Sequence, residues 1–74
     1  MSQFTRLCVV GMGFIPCGSA DLLPEVSYVL DRALVCGIAV RVTVDADDAV
    51  CVDVRRSDAE YLSLVLSNYG LDVV

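Results

Sequence analysis

An α+β domain built on an antiparallel sheet is predicted by three observations. Apolar residues recur at every second position in three stretches of the 74-residue chain. They recur at helical spacing in two others. The two periods alternate in the order strand, helix, strand, strand, helix, followed by a short apolar tail.

Phe4–Met12 reads as the first strand, with Leu7 and Val9 on one side and Arg6, Cys8 and Val10 on the other. Gly11-Met12-Gly13 breaks it, and residues 13–20, rich in Gly, Pro and Ser, read as a loop. The first helix is expected to begin at Asp21 or Leu22, with Asp21 as its cap and Pro24 in its first turn. Leu22, Val26, Val29, Leu30, Ala33 and Leu34 form its apolar face, and Gly37 ends it.

Residues 38–45 alternate strictly, with Val40, Val42 and Val44 on one face. Residues 49–56 repeat this with Val50, Val52 and Val54 inward and Cys51, Asp53 and Arg55 outward. Ala46-Asp47-Asp48 joins the two as a hairpin loop. Keeping both valine sets on one face demands residues of equal parity in register. That places Val44 opposite Val50 and Arg41 opposite Asp53, the latter an expected cross-strand ion pair worth up to about 1 kcal/mol. Ser57-Asp58-Ala59-Glu60 matches a capping box, with Ser57 as N-cap of a second helix. That helix is expected to bury Ala59, Leu62, Val65, Leu66 and Tyr69 and to end at Gly70. Leu71–Val74 is long enough for an edge strand.

The order is βαββα(β). Right-handed crossovers around an inserted antiparallel strand make this a ferredoxin-like sandwich, with two helices on one face of the sheet and the other face open. One such domain is expected over residues 1–74. Apolar residues make up 57% of the chain, which supplies a core and excludes a disordered composition.

Ten carboxylates stand against five arginines, with no lysine and no histidine, for a formal net charge of -5. This balance disfavours direct binding of nucleic acid or of an anionic membrane and suits a partner protein with a basic surface. No apolar run approaches the roughly 18 residues that span a bilayer, and no signal peptide is expected, so a cytoplasmic location follows as an expectation. Cys8, Cys17, Cys36 and Cys51 form no C-x-x-C pair. They are expected to be free thiols, with Cys8 and Cys51 on neighbouring strands of the open face.

The stretch Gly11-Met12-Gly13-Phe14-Ile15-Pro16-Cys17 and the ending Asn68-Tyr69-Gly70-Leu71-Asp72-Val73-Val74 resemble the heavy-metal-associated domains of copper chaperones and metal ATPases. Gly11, Met12 and Cys17 fall in register with that family's G-M-x-C-x-x-C loop, while Phe14 stands where its first metal cysteine lies. The resemblance implies the ferredoxin-like fold. It does not carry the metal, because Cu(I) on such a loop needs two soft thiolates. By class alone, the chain also resembles the small acidic inhibitors that phages encode, anti-CRISPR proteins among them.

No catalytic residue is expected. There is no histidine to act as the commonest general base and no motif of a known enzyme class, and no cofactor or metal is expected. The expected function is a non-enzymatic protein-binding module, in its most specific form a phage inhibitor that masks a nucleic-acid-binding surface of its target, acting in the host cytoplasm. Two acidic clusters are the candidate contact residues: Asp45, Asp47 and Asp48 at the hairpin tip, and Asp58, Glu60 and Tyr61 at the start of the second helix. The alternatives are a degenerate metal or thiol-redox carrier, and a small regulatory domain that forms a homodimer through its open sheet face.

Overall fold

The chain runs β1 (Phe4–Met12), β2 (Ile15–Pro16), α1 (Ser19–Val35), β3 (Val40–Val44), β4 (Val50–Arg55), α2 (Arg56–Asn68) and β5 (Leu71–Val73) in a computed structural model that describes residues 3–74. The first two residues of the expected domain lie outside the described residues. All strand pairs are antiparallel. Val9 of β1 pairs with Val50 of β4 on one edge and with Val73 of β5 on the other, and β4 pairs onward with β3. The order β5-β1-β4-β3 with two helices on one face is the ferredoxin-like arrangement that the element order predicts. The hairpin register is also as predicted, with Val44 opposite Val50 and Arg41 opposite Asp53.

The core lies between the sheet and the helices. Val9, Val50, Val52 and Val54 meet Leu22, Val26, Val29 and Leu30 of α1 and Leu62 and Leu66 of α2 there. Leu7, Val40, Val42, Ala59 and Val65 close its margins, half-buried. A register shift between Val9 and Gly11 adds one residue to β1. This bulge lets Val9 and Met12, three positions apart, both pack on the core.

Glycines end both helices as expected. Gly37 at φ +87 follows α1; its N–H donates to Leu34 and that of Ile38 to Ala33, the paired bonds of a Schellman cap. Gly70 takes φ +81 after α2.

Several local expectations are corrected. Within residues 13–20, Ile15–Pro16 folds back on β1 as β2, and α1 starts at Ser19 with Gly18 as its N-cap, so Asp21 is not the cap. Pro24 therefore lies in the second turn of α1, where its missing N–H leaves the Ala20 carbonyl without its helical donor. β4 passes straight into α2, whose N-cap is Arg55; Ser57 falls inside the first turn and the capping box does not form. Asp58 remains in that first turn, where the helix dipole favours it. Leu34, Val44 and Tyr69 are exposed instead of buried. Tyr69 packs edge-on against Tyr28, with ring centroids 6.0 Å apart. Asp53 does stand opposite Arg41, but its carboxylate bonds to Arg6 across the other edge of β4, at 3.0 Å from Arg6 Nε. Cys51 faces away from the helices as predicted, yet it is only 2% exposed because it occupies the centre of the sheet.

Candidate functional site

The pairing register orders the charged residues along the sheet. β1 finishes at Met12, at the same end as the β3–β4 loop, the start of α1 and the start of β5; this is the upper end. Phe4, the start of β3 and the start of α2 define the lower end. Arg6, Arg41, Arg55 and Arg56 lie towards the lower end, and Arg32 lies in the last turn of α1, which points the same way. Asp21, Asp45, Asp47, Asp48 and Asp72 all lie at the upper end. None of the five arginines accompanies them.

Phe14 tops the upper end. β1 turns into β2 through Gly13 and Phe14, whose φ values of 58 and 65 are the pair of positive angles that a two-residue type I′ turn requires. Glycine takes that conformation freely, whereas an aromatic residue does so at a cost of roughly 1–2 kcal/mol. Two bonds hold the turn: Gly13 N–H donates to the Gly70 carbonyl at 2.8 Å, and Phe14 N–H to Asp72 Oδ2 at 2.8 Å. The strained backbone presents the Phe14 ring 94% exposed. Ile15 beside it is 66% exposed. A shallow hollow lined by Val10, Pro16 and Asp72 flanks the ring on one side, and another lined by Ser67, Gly70 and Leu71 on the other.

The neighbouring β3–β4 loop is equally constrained. Asp45 Oδ1 accepts from the N–H groups of Asp47 (2.8 Å) and Ala49 (3.0 Å), which fixes the turn. Asp48 takes φ +64 and directs its carboxylate at the start of α1. It accepts from Ser19 N–H at 3.1 Å and from the Ser19 hydroxyl. The cap of α1 is therefore supplied by a residue 29 positions further along the chain. Among the described residues, the Asp47 carboxylate has no such structural duty. Its exposed carboxylate is the member of the predicted cluster most open to a partner.

Asp58, Glu60 and Tyr61 sit on the first turns of α2 at the lower end. β4 separates them from the hairpin tip by about 17 Å at a rise of roughly 3.4 Å per residue. The two predicted clusters thus occupy different ends of the molecule. Phe14, Ile15 and Asp72 were not among the predicted contact residues. The signal that marks Phe14 and Ile15 is a pair of bulky apolar residues directly after Gly13 in a stretch read as a loop.

The Ser19 bonds hold the Asp48 carboxyl below the usual carboxylate range, and Arg6 does the same for Asp53. A carboxyl whose folded pKa is depressed stabilises the fold fully above its unfolded value, about pH 4, and that contribution is lost as pH falls through the lower folded value. The unfolding midpoint is therefore expected to fall below about pH 4, with a shallower slope in Asp48→Asn. Asp48→Gly removes the cap but also relaxes the left-handed backbone at φ +64, so it is expected to melt no more than a few degrees below the parent at neutral pH. Circular dichroism melting curves check both outcomes.

On the open face of the sheet, Arg6, Arg41 and Arg55 balance Asp45, Asp53 and Asp72, so the excess negative charge resides on the helices and the hairpin tip. Cys8 and Cys51 lie side by side at the centre of this face, Sγ to Sγ 3.5 Å. Cys17, directly after β2, donates its thiol to the Ile15 carbonyl at 3.3 Å. Among the described residues, no helix is long and apolar enough to cross a membrane, and no group of three or more metal-ligating side chains is assembled. Compared with known proteins, the chain matches no family model, no curated protein and no solved structure.

Proposed function

We propose that this chain is a non-enzymatic protein-binding module whose upper end docks on a basic surface of a partner protein. The observation that carries this reading is Phe14, held almost fully exposed in a left-handed conformation by Asp72, at the end of the sheet that gathers Asp21, Asp45, Asp47 and Asp48 and none of the arginines. Strain of this kind persists where the surrounding structure imposes it, and it clusters at binding sites. A rigid exposed aromatic gives up little conformational entropy on binding, and carboxylates at the same end of the sheet select arginine and lysine. In its most specific form, the module is an inhibitor of the small acidic kind that phages encode, covering a surface its target uses to hold nucleic acid.

The test compares the affinity of the parent and three variants for a partner captured from the native cell extract. Phe14→Gly is expected to weaken binding by roughly 30-fold or more, as loss of a central aromatic anchor does. The same variant is expected to unfold no more easily than the parent, and about 1 kcal/mol less easily where relief of backbone strain dominates. Asp47→Lys is expected to slow association and to reduce the salt dependence of binding. Reversing Asp58 and Glu60 together reports on the lower end. Unchanged affinity in Phe14→Gly and Asp47→Lys overturns the reading, and loss confined to the Asp58 and Glu60 variant moves the site to α2.

A further inference from the structure

We propose that Cys8 and Cys51 form a dithiol site that reacts with low-molecular-weight disulfides to close a cross-strand disulfide on the open sheet face. The two residues stand directly opposite in the β1–β4 register, with Sγ atoms 3.5 Å apart. The type of pair favours closure. The Cys8 N–H and C=O both bond to Val74, on the side of β5. In an extended strand, both groups of one residue point to the same edge, so towards β4 Cys8 belongs to a non-hydrogen-bonded pair. Such pairs bring Cα atoms to about 4.5 Å, within the roughly 4.4–6.8 Å that a disulfide spans, so the bond needs rotation of two side chains and no backbone movement.

Their environments divide the roles. Cys8 is half-buried and reachable, whereas Cys51 is 2% exposed beneath its neighbours. Burial, and then the hydrogen bond with Cys8, raise the Cys51 pKa, so the thiolate that attacks first is that of Cys8. It cleaves the small disulfide RSSR, forming a mixed disulfide and releasing one thiolate. Cys51 sulfur then attacks the Cys8 sulfur, its proton passing to the second departing RS group. Two protein thiols are oxidised and one RSSR is reduced to two RSH. Cys36, at the far end of α1, and Cys17, bonded to the Ile15 carbonyl, have no comparable partner in register.

The test uses the folded chain with Cys17→Ser and Cys36→Ser, leaving the pair untouched, and glutathione disulfide as the probe. Expected is loss of both thiols together, a mass lower by two hydrogen atoms, and a tryptic link between residues 7–32 and 42–55. The oxidised chain is expected to melt about ten degrees or more above the reduced one, as closure of so long a loop implies. Adding Cys51→Ala should arrest the reaction as a glutathione adduct on Cys8. Two thiols that stay free, a stable adduct on Cys8 with Cys51 present, or closure only in denaturant each overturn the proposal.

Discussion

Truncating Leu66 to alanine is expected to destabilise the domain by about 3–4 kcal/mol. Leu66 is completely buried on the inner face of α2, among the valines of β1 and β4 and the leucines of α1. Its loss removes both the transfer free energy of the isobutyl group and the contacts that surrounded it, since a close-packed interior relaxes only in part. A domain of this length has a total stability of roughly 4–11 kcal/mol, so the variant gives up about a quarter of it or more. Leu64→Ala, on the outer face of the same helix where Leu64 is 59% exposed, is expected to stay within about 0.5 kcal/mol of the parent. Urea unfolding of the two variants side by side checks the contrast. Equal midpoints would mean that α2 is not docked as described.

Gly11→Ala is expected to cost about 3 kcal/mol and to loosen the Phe14 turn. A Cβ at Gly11 would lie 2.2 Å from the Ile15 carbonyl oxygen and 3.2 Å from Asp72 Oδ2. The first of these is backbone of β2, which cannot swing aside as a side chain would. Gly11 is also paired on both edges, to Pro16 and to Asp72, so β1 cannot retreat without disturbing one partner or the other. The strain is relieved only by displacing β2, which carries the exposed Phe14–Ile15 tip. The variant is therefore expected both to unfold earlier and to lose protection of the Phe14 amide against hydrogen exchange. Gly13→Ala differs, because open space surrounds that position and only its φ of +58 opposes a side chain. It is expected to cost about 1 kcal/mol.

These two sites also show how differently parts of the fold were written in the chain. The strict alternation of Val40, Val42, Val44 and Val50, Val52, Val54 specified both the strands and their register, because a slip by one residue would turn every valine to water. The spacing of Leu22, Val26, Val29, Leu30 and Ala33 marked the buried stripe of α1, and Gly37 and Gly70 marked where helices stop. Gly11, by contrast, read as a strand breaker. It lies inside the strand, and its role as a gap for the Ile15 carbonyl becomes visible only once β2 has folded back.

The candidate site divides in the same way. The acidic hairpin tip was legible as a cluster, but not the work each carboxylate does there. Asp45 is committed to its own turn and Asp48 to a helix that begins 29 residues earlier in the chain, which leaves Asp47 to face outward. Asp53 was legible as a cross-strand partner, yet it has an arginine on either side. The geometry of Arg6, 47 residues away, takes its carboxylate. Asp72 in the apolar tail carried no visible signal, because the N–H it accepts from is that of Phe14, 58 positions distant.

The sequence by itself determined the βαββαβ arrangement of the main elements, the hairpin register and most of the core, but not β2. Each of these rests on interactions between near neighbours or on a periodicity that a single face must satisfy. The tertiary structure alone decided which end of the sheet gathers the carboxylates without arginines and that Phe14 crowns that end. It also decided that Cys8 and Cys51 meet side by side on the open sheet face, the first half-buried and the second buried. Those outcomes depend on which strand edges are joined, and antiparallel pairing of distant segments brings together side chains that no local pattern relates.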